Sequence, residues 1–156
     1  MRAEAEWTIE PLKSEERAQA IDLLAANSLP TDDLRGRDAT LLAAHHLPPE
    51  ATRPAFGGVI GLERFGEVGL LRSLAVRREL RGRGLGVALV RAIEALASRS
   101  GVRSLYLLTT TAEAFFAANG YARLERDRAP EAIRGTSEFS SVCPKSAVFM
   151  GKRLLI

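Results

Sequence analysis

The stretch Arg81-Gly82-Arg83-Gly84-Leu85-Gly86 sets the tightest limit on what this chain can fold into. It follows an apolar run, Leu70 to Val76. It opens a segment in which Leu89, Val90, Ile93, Leu96 and Ala97 recur at helical spacing until Gly101. That order reads as strand, glycine turn, helix. Glycine has no Cβ, so the backbone can curl until several amide N–H groups point inward. Beside a helix N-terminus and its partial positive charge, such donors make a cradle for a pyrophosphate. Taken alone, the same segment also reads as a tight connection and nothing more.

Two nucleotide-binding motifs fit this turn poorly. A Walker A loop ends in Gly-Lys-Ser/Thr, and here Gly86 is followed by Val87. A dinucleotide fingerprint needs G-x-G-x-x-G, whereas Gly82, Gly84 and Gly86 give G-x-G-x-G. No acidic residue stands in clear ribose-binding register about 20 residues further on.

The flanking sequence predicts a mixed α/β chain. Strands are expected at Trp7–Ile9, Ala39–Ala44, Phe56–Leu62, Val68–Val76, Val102–Thr109, Tyr121–Asp127 and Ser146–Leu154. Glu63-Arg64-Phe65-Gly66 reads as the turn of a hairpin. Helices are expected after Glu15-Glu16, where Ile21, Leu23, Leu24 and Ala25 form an apolar stripe, and over Thr111–Phe116, closed by Asn119-Gly120. Leu29 to Leu34 breaks the first helix and begins a second short one; Pro48, Pro49 and Pro54 mark a loop.

Composition narrows the function classes. A length of 156 residues suits one domain, 1–156, with one core. Lys and Arg number 22 against 19 Asp and Glu, a net charge of +3 that is too mild to argue for nucleic acid. The single cysteine, Cys143, permits neither an intrachain disulfide nor a thiolate metal cluster. His45 and His46 would point to opposite faces of a strand, so no metal is expected there. The acidic start, Met1 to Glu6, is no secretory signal, and no run approaches the roughly 20 apolar residues of a membrane span. A cytoplasmic protein without membrane contact is expected.

The spacing of Arg81, Gly84 and Gly86 is the R-x-x-G-x-G signature of the GNAT acetyltransferase superfamily, which this chain resembles. The resemblance extends to Leu74-Ala75-Val76, similar to the family's fourth strand, and to Leu105–Thr110, similar to its fifth. Phe116-Ala117-Ala118-Asn119-Gly120-Tyr121 resembles the helix ending in Gly-Phe or Gly-Tyr. Together these cover roughly residues 56 to 124. More finely, Leu70–Val76, Leu107–Glu113 and Thr136-Ser137-Glu138-Phe139 with Cys143-Pro144 look like the arsenic-resistance N-acetyltransferase group. Leu-Thr-Thr at the fifth strand is also similar to bacterial N-acetylglutamate synthases.

The resemblance implies an α/β (α+β) GNAT fold: a mixed, mostly antiparallel central sheet, splayed at the cofactor cleft and flanked by helices. It implies acetyl transfer from acetyl-CoA, with coenzyme A as product, to the amine of a small amino-acid-like molecule, an arsenical among the candidates. Leu74, Ala75, Val76, Arg81, Gly82, Arg83, Gly84, Leu85, Gly86, Thr109 and Phe116 would contact the coenzyme. The Val76 N–H would polarise the thioester carbonyl, a contribution on the order of 3 kcal/mol. A homodimer is left open. Two other readings stand beside this one, a silent acyl-CoA-binding sensor and a protein or peptide N-acetyltransferase.

One departure from the family pattern is Phe116, which stands where many relatives carry a tyrosine as acid for the departing sulfur. Tyr121 and Tyr106 read as packing residues. Glu63 is a candidate base at a strand end, or a solvated hairpin charge. Arg72, inside an apolar strand, must be paired if buried, by an acceptor carboxylate or by a structural partner such as Glu138. Ser73 would point to the opposite face from Arg72. Arg134, Thr136, Ser137 and Glu138 form a late polar cluster, either an exposed loop or one that closes over the acceptor. Asn27, Asp32 and Asp33 could line the acceptor side, though turn chemistry accounts for them too.

Overall fold

Near-continuous buried runs, covered on both faces, build the centre of the sheet. The computed structural model describes residues 7–27, 39–46, 52–136, 139 and 147–154. Seven strands, β1 (Trp7–Pro11), β2 (Ala39–His46), β3 (Ala55–Phe65), β4 (Val68–Val76), β5 (Ser104–Thr109), β6 (Ala122–Leu124) and β7 (Val148–Arg153), lie in the order β1-β2-β3-β4-β5-β7-β6. Every neighbouring pair is antiparallel except β4 and β5, which run parallel. Among the described residues four α-helices accompany them: α1 (Arg17–Ala26), α2 (Leu85–Arg99), α3 (Glu113–Ala118) and α4 (Glu131–Arg134). This is the mixed, mostly antiparallel architecture expected.

Adjacent residues of a strand face opposite sides, and the two faces are covered differently. On one, α2 packs Leu85, Leu89, Val90, Ile93 and Ala97 against Ile60, Leu62, Leu71, Leu105 and Leu107. On the other, α1 sets Ala20 and Leu24 on Ala43, Val59 and Ala75, while Ile133 of α4 meets Leu70, Leu108 and Phe149. Burying a side chain such as Ile93 contributes about 1.5–3 kcal/mol. No helix of the described residues is long and apolar enough to cross a membrane.

Several boundaries differ from the sequence-based expectation. β3 runs through Phe65, because Arg64 and Phe65 still pair with Gly69 and Val68. The turn is therefore Gly66-Glu67, with Gly66 at φ 66°. β5 starts at Ser104, since the Val102 N–H is used to close α2 on the Ala97 carbonyl at 2.9 Å. Tyr121–Asp127 yields only the three residues of β6 and a 3-10 turn over Arg126–Arg128. α4, within the stretch read as a loop, was not anticipated; Pro130 followed by Glu131 is the start signal that a one-turn helix leaves in sequence. Leu29–Leu34, Asp32, Asp33, Pro48, Pro49, Ser137, Glu138 and Cys143 lie outside the described residues.

Candidate active site

β4 and β5 touch along a short seam. Val68, Gly69 and Leu70 pair with Ser104, Leu105 and Tyr106. Beyond them Leu71–Val76 and Leu107–Thr109 have no mutual pairing, so the strands part and leave a gap. On its other side β4 stays paired with β3, but with an irregularity. Gly61 is opposite Arg72 and Val59 is opposite Ala75, so Ile60 alone faces both Ser73 and Leu74. This is a β-bulge. Ser73 sits there at φ 61°, the one non-glycine residue with a positive φ among the described residues. A side chain in that region costs about 1–2 kcal/mol.

The bulge decides where the end of β4 points. In a strand, N–H and C=O of successive residues face alternate edges. The Arg77 N–H donates to the Gly57 carbonyl on β3 at 2.9 Å, so the preceding residue, Val76, faces the open edge. Arg81 Nε donates to the Val76 carbonyl at 3.1 Å. The Val76 N–H, on the same edge, is directed into the gap.

The glycine turn stands next to this gap. Gly82 has φ 80° and Gly84 φ 87°, and Gly84 caps α2. The helical ladder begins with the Ala88 N–H on the Gly84 carbonyl at 3.0 Å, so the amides of Leu85, Gly86 and Val87 have no acceptor within the helix. A Cβ at Gly82 or Gly84 would meet no protein atom within 4 Å. Glycine is required at both by the backbone angle, and the space in front of them is open. A Cβ at Gly86, by contrast, would come within 3.3 Å of the Phe115 ring. Buried Leu85 anchors the turn to the core. Free amides, a helix N-terminus and open space together suit a bound diphosphate.

The side chains proposed from sequence distribute differently from expectation. Arg72 and Glu63 are brought together: Nη1 donates to Oε1 at 3.4 Å, with the Arg72 side chain 1% exposed. Glu63 lies inside β3 opposite Leu70, not at a strand end, because the turn comes later. Its carboxylate accepts from the guanidinium, so Arg72 has an internal partner where an acceptor carboxylate was considered. Ser73 does not point away from Arg72; the bulge breaks the alternation, and Arg72 Nε donates to Ser73 Oγ at 3.2 Å. The Arg81 side chain, expected on phosphate, is held by Val76 and by Asn27 Oδ1 at 2.6 Å. Asn27 meanwhile donates to the Leu23 carbonyl at 2.8 Å, closing α1.

Thr109 Oγ1 accepts the Ala112 N–H at 3.0 Å and shapes the entry to α3. Phe116 is buried edge-to-face between Phe115 and Tyr121, so packing explains it. Phe115, which the sequence reading passed over, is the ring beside the cradle. Tyr121 is also buried, its hydroxyl donating to Glu94 at 2.7 Å; burial and that carboxylate push the phenol far above its ordinary value. Lys152 joins them, donating to Glu94 and to the Asn119 carbonyl, each at 3.0 Å. Tyr106 stacks on Phe149. Arg134 donates to the carbonyls of Ala129 and Asp127, and Thr136 Oγ1 to that of Ile133 at 2.7 Å. Both make local turn contacts. His45 is buried with Nε2 2.6 Å from Glu16 Oε2, and His46 lies beside Trp7.

A split sheet with a glycine turn on the helix that follows β4 defines a class. The profile of the family described as Acetyltransferase (GNAT) domain matches residues 40–123, more than half of the chain, and the chain belongs to that family. Over 63 residues it is 40% identical to an uncharacterised N-acetyltransferase of Chlorobaculum tepidum, a match covering 40% of each protein. Its fold is similar to that of N-acetylglutamate synthase from Neisseria gonorrhoeae, solved with coenzyme A and L-arginine. The TM-score is 0.78 at 19% identity, over 97% of this chain and 34% of the synthase. The chain thus spans about a third of that enzyme. A GNAT-family acetyltransferase from Staphylococcus aureus gives a TM-score of 0.73 at 18% identity, with 96% of this chain and 99% of the other covered.

Proposed function

We propose that this chain, as one domain over residues 1–156, transfers the acetyl group of acetyl-coenzyme A to the amine of a small amino-acid-like acceptor in the cytoplasm. The observation that carries the reading is the Val76 N–H aimed into the β4–β5 gap, beside the open glycine cradle on α2. The coenzyme supplies an activated thioester. The backbone of Gly82 through Val87 holds its diphosphate, and the unpaired edge of Leu74–Val76 receives its arm. Val76 donates to the carbonyl oxygen as negative charge grows there, while the amine nitrogen bonds to the carbon, the carbon–sulfur bond breaks and the proton shed by the nitrogen passes to water. A thiol of ordinary pKa, about 8.5, leaves as thiolate unaided, so Phe116 in place of an acid is compatible with turnover.

The amino-acid-like acceptor is supported by the similarity to N-acetylglutamate synthase. The arsenical subclass is supported by the resemblance of Leu70–Val76, Leu107–Glu113 and Thr136–Phe139 with Cys143-Pro144. A second reading, a coenzyme-binding sensor, is favoured by the missing acid at Phe116. Thermal unfolding with acetyl-coenzyme A, followed by thiol release with L-glutamate, L-aspartate and their arsenic or phosphorus analogues, tests these. Ligand at about 100 times its dissociation constant adds roughly 2.7 kcal/mol. That raises the midpoint by roughly 5–10 °C. No shift at saturation would falsify the cradle; a shift without thiol release from any acceptor selects the sensor.

A further inference from the structure

We propose that Arg72 is a positioning residue, whose contacts with Ser73 and Glu63 hold the β4 bulge and so aim the Val76 amide into the gap. The inference rests on the acetyl-transfer reading for its consequence, but its structural content stands apart from that activity. Before the bulge, paired positions on β3 and β4 run from Phe65 and Val68 to Gly61 and Arg72 in one register. The Gly66-Glu67 turn makes Phe65 and Val68 a hydrogen-bonded pair, so even-numbered residues of β4 face β3. Continued to the end of the strand, that register would turn Val76 toward β3 as well. The extra residue at Ser73-Leu74 reverses the parity. Ala75 and Arg77 then face β3, and Val76 faces the gap.

Serine is a poor residue for the left-handed angle this needs. What accompanies it is a buried arginine that donates to its hydroxyl through Nε and to Glu63 of β3 through Nη1. One guanidinium thereby ties the extra residue to the neighbouring strand. A slipped bulge would break the Nε contact.

The experiment is site-resolved amide exchange on the unliganded protein, with acetyl transfer measured in parallel. In the native chain Ala75 and Arg77 amides are protected and Val76 exchanges quickly. In Arg72→Met and Ser73→Ala this contrast collapses as registers mix, and kcat falls on the order of 10- to 100-fold while acetyl-coenzyme A affinity stays within about threefold. Adding Ser73→Gly to Arg72→Met restores both the contrast and kcat, because glycine adopts the bulge angle without help. A packing role for Arg72 would show no such rescue. Where Arg72→Met unfolds because Glu63 loses its cation, Arg72→Met/Glu63→Met removes both charges and is read the same way. An unchanged exchange pattern in the folded variants overturns the proposal. A native protein that shows the contrast but transfers no acetyl group overturns the activity and leaves the clamp standing.

Discussion

Tyr121 is held in its neutral form by burial and by the Glu94 carboxylate that accepts the hydrogen bond of its hydroxyl. The folded state raises its pKa above the unfolded value of about 10, so the unfolded chain loses its proton first as pH rises. The stabilisation is therefore complete below pH 10 and declines above it, by up to about 1.4 kcal/mol per pH unit. Tyr121→Phe should flatten that alkaline loss of thermal stability. At neutral pH it should cost about 0.5–1.5 kcal/mol, since Glu94 keeps Lys152. Acetyl transfer should continue; a loss of turnover in the folded variant would make Tyr121 the acid after all. At this scale the sequence was partly legible. It showed that Arg72 needed a partner if buried, but named Glu138 or an acceptor carboxylate for that role and read Glu63 as a base; Glu63 meets it because the turn starts at Gly66 and leaves Glu63 inside β3.

At the scale of elements, the turn before α2 was readable because its constraint is local. Gly82 and Gly84 take left-handed angles that no neighbour imposes. Gly84→Ala should lower stability by about 1–2 kcal/mol. With no protein atom near the new methyl, any additional loss of acetyl-coenzyme A affinity would come from the ligand's own approach. Isothermal calorimetry on the folded variant measures it, and unchanged affinity would show that Gly84 is there for the turn alone. The bulge in β4 was illegible for the opposite reason. Nothing in Leu71-Arg72-Ser73-Leu74 marks an extra residue; it exists only relative to Val59–Gly61 on the partner strand. α4, at four residues, is too short to show a periodicity.

Across the whole molecule, α2 binds the two parts of the sheet, because Ile93 and its neighbours pack with both β3–β4 and β5 residues. Ile93→Ala should cost about 2–5 kcal/mol. The shift produced by acetyl-coenzyme A should be retained, since the cradle lies at the N-terminus of the helix, about two turns before Ile93; equal loss of both in a thermal titration would contradict this. The order of strands was only partly foreseeable. Hairpin partners β3 and β4 follow from proximity, whereas the place of β7 between β5 and β6 is a long-range choice.

That placement has a bearing on time. Residues 148–153 come after both strands they separate, so during synthesis β5 and β6 wait with bare edges for a partner made later, and in refolding for one distant in sequence. Sequence-distant pairing of this kind is slow to form, and unpaired edges are where chains stick to one another. The last rungs of the sheet are thus the step at which a crowded refolding reaction would lose molecules to aggregation.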